Sequence, residues 1–183
     1  MGIDNISYSN QQSIKKLILI FFSILYFSLL ISCHPDNKVR KKIPQSGEVL
    51  LNFKNYSKTT LSTNTGRLII AYVAKSPQEQ TQGLSGVKPE SLKDNEGMLF
   101  EYDKPGPRSF WMPNTYVNLD IFFLDSNNKV LYVERNLPSH PGMNVPPVIA
   151  RTKTIYAHNV LELKADSTTS KEIKIGDILT RHK

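Results

Sequence analysis

The chain has 183 residues, a formal net charge of +7 at pH 7 and a single cysteine. One cysteine excludes a disulfide within the chain, so core packing alone must hold the fold. The basic excess is mild, no aromatic–basic motif accompanies it, and nucleic-acid binding is not expected.

Residues 1–16 are polar and end in Lys15-Lys16. Leu17 to Ile31 follows as a nearly unbroken Leu, Ile, Phe and Tyr run, the pattern of a secretory n-region and h-region. The run is short for a permanent span, which needs about 20 apolar residues. Leu30-Ile31-Ser32-Cys33 resembles the bacterial lipobox. In that signal the thiol is acylated, the peptide is cut before the cysteine, and the new amino terminus is acylated in turn. The resemblance implies a lipoprotein signal over residues 1–32 and a palmitate-type anchor on Cys33. Two or more acyl chains anchor stably, at about 0.8 kcal/mol per buried CH₂. The alternative is an uncleaved membrane helix with an incidental cysteine. Lipidation consumes the only thiol, so thiol chemistry drops out.

Loss of residues 1–32 removes Asp4, Lys15 and Lys16 and lowers the net charge from +7 to +6. Residues 33–46 hold Lys38, Arg40, Lys41 and Lys42 with Pro35 and Pro44 and show no apolar periodicity. They read as a basic tether, favourable beside anionic lipid. Residues 47–183 are enough for one domain with a proper core.

That domain reads as mainly β. Short strand patterns occupy Glu48–Tyr56, Arg67–Lys75, Gly97–Tyr102, Phe110–Met112, Leu119–Asp125, Lys129–Arg135, Ile155–Ala165 and Ile173–Thr180. Ser126-Asn127-Asn128 is a hairpin turn signal. Ser76-Pro77-Gln78-Glu79 supplies an N-cap, a first-turn proline and an acidic third position, so a helix runs to about Gln82 and stops at Gly83. A second short helix is placed around Ser167–Lys171. Strands at this spacing suggest a compact single-domain β-sandwich or partly open barrel with one or two short helices.

Four segments in order carry a family resemblance. They are Gln82-Gly83-Leu84-Ser85-Gly86; Glu96-Gly97-Met98-Leu99-Phe100; Phe110-Trp111-Met112-Pro113-Asn114-Thr115 with Leu119-Asp120-Ile121-Phe122-Phe123; and Val160-Leu161-Glu162-Leu163. Together they resemble the DUF192 family (also UPF0127) of small bacterial and archaeal proteins, many of them exported. The similarity spans about Leu68 to Leu179. Family members often have Arg-Gly-Leu-Met where this chain has Gln82-Gly83-Leu84-Ser85, and lysine where it has Pro113. The resemblance implies a compact, mainly β domain and no known activity.

Alternation places Phe110 and Met112 on one face and Trp111 on the other. A Trp111 indole N–H facing a cleft wants an acceptor, and Asp120 or Glu162 could serve. Asn114 and Thr115 either form a turn that stitches the sheet or join Trp111, Asp120 and Glu162 in a shallow polar pocket. Asp120 and Glu162 are carboxylates inside apolar strands, so each must be paired or hydrogen-bonded. Arg108 and Arg151 are possible partners for Asp120. Gly97 suits either a left-handed turn or close packing. The proline-rich stretch 138–147 reads as a long loop, of the kind that is often functional, and it contributes His140. His140, Met143, Met98, Met112 and His158 are of types that suit copper. Their spacing matches no metal motif, and no metal is assigned.

No catalytic or cofactor motif is recognisable, and Gly-x-Ser-x-Gly is absent. The leading expectation is a cofactor-free module, lipid-anchored in the bacterial cell envelope and facing the periplasm or exterior. It would bind a small molecule, a glycan or an envelope protein through Trp111, Asn114, Thr115, Asp120, Glu162 and His140. The alternatives are a hydrolase using Asp120 and Glu162 as paired carboxylates, and an assembly factor without ligand.

Overall fold

The computed structural model describes residues 52–182. The leader, Cys33, the basic tether and the first part of the expected 48–56 strand lie outside the described residues.

Nine strands are present among the described residues: β1 (Lys58–Ser62), β2 (Leu68–Ala74), β3 (Glu96–Phe100), β4 (Gly106–Arg108), β5 (Leu119–Leu124), β6 (Val130–Leu137), β7 (Ile155–Ala157), β8 (Asn159–Lys164) and β9 (Thr180–His182). Two short helices join them, α1 (Pro77–Gln82) and α2 (Thr168–Glu172). Seven strands form one sheet in the order β6-β5-β8-β3-β2-β1-β9, while β4 and β7 pair separately. All neighbours in the large sheet are antiparallel except β2 and β3. The expected mainly β fold is therefore present, as a sheet curled into a half-barrel. The segment before β9 links its two edges. Gly176 N–H donates to Val130 O and Val130 N–H to Asp177 O, both at 2.8 Å, while β9 itself pairs with β1.

Both faces of the sheet are buried, which explains the unbroken apolar runs. In β5 every residue is buried. Leu119, Ile121 and Phe123 join one core, with Tyr72, Met98, Phe100, Phe110, Met112 and Val160. Phe122 and Leu124 join the other, with Leu61, Ile69, Leu99, Leu161, Leu163 and Ile173. Strand periodicity of two separates them. The first core is covered by a ribbon: β4 and β7, extended through hydrogen bonds from Phe110–Met112 to residues 150–152. We name the faces accordingly, the ribbon face and the α2 face.

Local chemistry fixed several elements as expected. Ser76 accepts from Glu79 N–H while the Glu79 carboxylate accepts from Ser76 N–H, and α1 ends at Gly83 with φ +54°. Asp125 accepts from Asn127 N–H and Lys129 N–H, and Asn128 takes φ +59°, closing the β5–β6 turn. Gly97 proves to be a close-packing position. A Cβ there would lie 2.3 Å from Glu162 O and 2.4 Å from a Leu163 methyl.

Three expectations are corrected. The described part of 48–56 is a 3-10 turn, Phe53–Asn55, whose Asn52 side chain caps it. The strand follows at Lys58–Ser62, where β-branched Thr59 and apolar Leu61 point inward. Ile155–Ala165 is two strands on different sheets, because His158 bends the chain and donates its N–H to Leu124 O. Ile173–Thr180 is not a strand: Ile173 caps α2, and Gly176, at φ +95°, turns the chain into β9.

Candidate functional site

Asp120 and Glu162 sit on adjacent strands but on opposite faces. The register pairs Asp120 with Leu163 and Ile121 with Glu162, so Asp120 faces α2 and Glu162 faces the ribbon. This geometry corrects the paired-carboxylate expectation, because the sheet lies between the two groups.

Asp120 is fully engaged by the fold. Arg135 Nη1 and Ser170 Oγ each donate to its Oδ2 at 2.5 Å, and Asn136 N–H donates to Oδ1 at 2.7 Å. Arg135 also donates to the carbonyls of Ser170 and Ile173. One carboxylate and one guanidinium thus tie β5 and β6 to α2. Neither Arg108 nor Arg151 is the partner. A register irregularity in the β5–β6 pairing, between Leu119 and Ile121, accompanies the placement of Arg135 beside Asp120.

Asn114, Thr115 and His140 form a second structural unit. Thr115 N–H donates to His140 O at 3.2 Å, and His140 N–H to Thr115 O at 2.9 Å. Asn114, at φ +52°, donates its N–H to Gly142 O at 2.6 Å and accepts from Gly86 N–H. His140 Nε2 donates to Asn144 O at 2.8 Å. The 138–147 loop is thereby clasped onto the Trp111 segment, and Asn114 and Thr115 act as a stitch.

Trp111 is half-buried between buried Phe110 and Met112, as alternation requires. It bridges to Arg151, whose guanidinium lies 5.8 Å from the indole ring. Asp120 cannot be its acceptor, because that carboxylate occupies the α2 face.

Glu162 belongs to a different group, which sequence reasoning missed. It is 5% exposed. A Cβ on Gly83 would come within 3.9 Å of its Oε2 and 3.0 Å of the Phe100 ring. Only glycine therefore suits the end of α1, by both space and φ. Beside it stand Tyr102 and Arg108. The Arg108 guanidinium carbon lies over the Tyr102 ring, 3.5 Å from its centroid, and the guanidinium donates to Lys104 O. Burial pushes the Tyr102 phenol above its ordinary value of 10.0; the Arg108 cation opposes this and the Glu162 charge adds to it. Arg108 Nε is buried without a hydrogen-bond partner. The cluster thus offers donors from Arg108 and Tyr102 beside the buried Glu162 carboxylate. The signal that could have found it is the Gly-Pro-Arg-x-Phe-Trp spacing, which puts Arg108 on the same side of the ribbon as Phe110.

Among the described residues, no group of three His, Cys, Asp or Glu gathers as metal ligands, and no helix is long and apolar enough to cross a membrane.

A family model, DUF192, described as "Uncharacterized ACR", matches residues 59–181. Curated proteins give no match. Two solved structures are similar. One is a protein of Sinorhizobium meliloti 1021 described as a candidate transcription regulator, with 27% identity and TM-score 0.55, covering 69% of this chain and 95% of that one. The other is a protein of unknown function from Novosphingobium aromaticivorans DSM 12444, with 27% identity and TM-score 0.52, covering 67% and 82%. In the first case nearly the whole solved chain corresponds to the β domain.

Proposed function

Because the chain belongs to the DUF192 family, whose description assigns no activity, we propose a function from its own residues: a lipid-anchored envelope module that binds a small hydroxyl-rich molecule or glycan on the ribbon face. The observation that carries this reading is Arg108 Nε, a buried donor with no acceptor, beside buried Glu162. Such a donor calls for an acceptor that is not part of the protein. A sugar-like ligand offers oxygens that match the Arg108 and Tyr102 donors. The Tyr102 phenol, held protonated by its surroundings, remains a donor.

The transcriptional role named for the S. meliloti protein is not carried over. Helices α1 and α2 have six and five residues, too short to lay a recognition helix in a groove.

The anchor is tested by mass spectrometry of the membrane fraction, expected to find a chain beginning at an acylated Cys33. Binding is tested by thermal shift against a panel of oligosaccharides and small polyols. At least one should raise Tm for the native chain and fail to do so for Arg108→Ala and Glu162→Gln. A panel without a hit, or hits that both variants retain, would sink the binding reading. An ordered water would then be the acceptor for Nε.

A further inference from the structure

We propose that the outward side of the ribbon, with the loop it clasps, is a docking surface for an anionic lipid bilayer. Half of the eight exposed large hydrophobic side chains of the described residues fall between Met143 and Tyr156. Val148 is 85% exposed, Tyr156 67% and Val145 64%. Clustered exposed apolar groups mark an interaction surface. These are also held in place. The loop is fixed at one end by Asn114 N–H to Gly142 O and at the other by Met112 N–H to Ala150 O, and the His140 ring braces it at Asn144. Half-buried Trp111 and exposed Pro107 and Ser109 share the same outward side.

Charge complementarity selects the partner. Residues 104–119 and 135–161, both strands of the ribbon with their loop, contain no Asp or Glu. Elsewhere acidic residues accompany the cations, and several are paired: Lys54 with Glu96, Arg67 with Glu172, Lys75 and Arg181 with Glu101, and Lys164 with Asp94. Arg151 and Lys153 are exposed and make no ion pair with a described residue. Cations beside aliphatic tips, Trp and Tyr match a headgroup–acyl boundary: the rings sit at headgroup level, the valines enter, and the cations meet anionic lipid. A soluble polyanion would use the cations and leave the valines without purpose. The surface is independent of the anchor at Cys33.

The test uses residues 42–183, a single compact unit that lacks Cys33 and corresponds to a domain solved as nearly a whole protein. Co-sedimentation is measured with phosphatidylcholine vesicles, with and without about 30% phosphatidylglycerol. Binding should be at least about tenfold stronger with phosphatidylglycerol and should weaken with salt. Arg151→Gln with Lys153→Gln should lower it about thirtyfold, from a factor of about five per cation. Val145→Ser with Val148→Ser should lower it at low and high salt alike, with Tm unchanged. Absence of vesicle binding would overturn the proposal. So would full binding by the glutamine variant, or valine variants that bind normally while heparin binds as well as vesicles. The last outcome would mark a surface for an acidic macromolecule.

Discussion

The two faces of the sheet treat buried polar groups differently. On the α2 face, Asp120 is 2% exposed and meets three donors. On the ribbon face, Arg108 Nε and Tyr56 Oη are buried with no partner, and these are the only such side-chain atoms among the described residues. A carboxylate saturated by its own chain reports on architecture. A donor left unmatched reports on something the chain has yet to meet. Asp120 and Glu162, in apolar strands adjacent in the sheet, look alike in sequence, and the register separates them.

The difference can be broken most violently at Gly97, the tightest point on the α2 side. Gly97→Ala drives a methyl to 2.3 Å from Glu162 O, and backbone cannot yield as a side-chain tip can. We expect a loss of about 4 kcal/mol or more, or failure to fold, by urea denaturation. Asp120→Ala should cost about 3 kcal/mol, tempered because the Arg135 side chain is 40% exposed and can rehydrate. A loss under about 1 kcal/mol would show that the Asp120–Arg135–Ser170 group is not the tie between β5, β6 and α2. Ser76→Ala removes the α1 cap that sets Gly83 beside Glu162, and should cost about 1 kcal/mol.

Titration separates two buried groups on the ribbon face itself, Glu96 with donors and Tyr56 without. Burial works to raise the Glu96 pKa, but hydrogen bonds from Lys54, Lys93 N–H and Tyr72, with the Lys54 charge, bring it below 4.5. A lowered folded value means that the stability is present above 4.5 and is lost as pH falls through the folded value. Lys54→Met should flatten this acid limb in Tm against pH. The Tyr56 phenol is pushed up to about 12, by burial first and by Glu79 second. A raised folded value means stability that is full below 10 and is lost as pH rises toward 12. Tyr56→Phe should remove that alkaline limb. At neutral pH it should leave stability unchanged or slightly higher, because it deletes an unmatched hydroxyl. A marked loss would reveal a partner for the phenol and weaken the contrast.

Much of the fold was legible where one local signal dominates. The Ser76–Glu79 box with Gly83, the Asp125–Asn128 turn and the Leu119–Leu124 run all fall where their chemistry places them. β4 was not legible, because Gly106 and Pro107 are poor strand formers and only pairing with β7 makes them extended. β1 was hidden by its polar Thr59 and Thr60. The site was legible residue by residue and not as a grouping. Alternation placed Phe110, Trp111 and Met112 correctly. The facing of Asp120 against Glu162 depends on the β5–β8 register, and the choice of Arg135 on the β5–β6 register. Neither long-range pairing leaves a mark on one sequence.

The segment that links the two sheet edges also sets an order of events. Residues 176–182 hydrogen-bond to β6 on one side and β1 on the other, yet they follow every other strand in the chain. During synthesis or threading through a pore, β1 and β6 emerge with exposed margins and wait for a partner that arrives after all the rest. Closure of the half-barrel therefore waits for residues 176–182. Any factor that holds residues 176–182 back keeps the domain open, with two strand margins available to a chaperone.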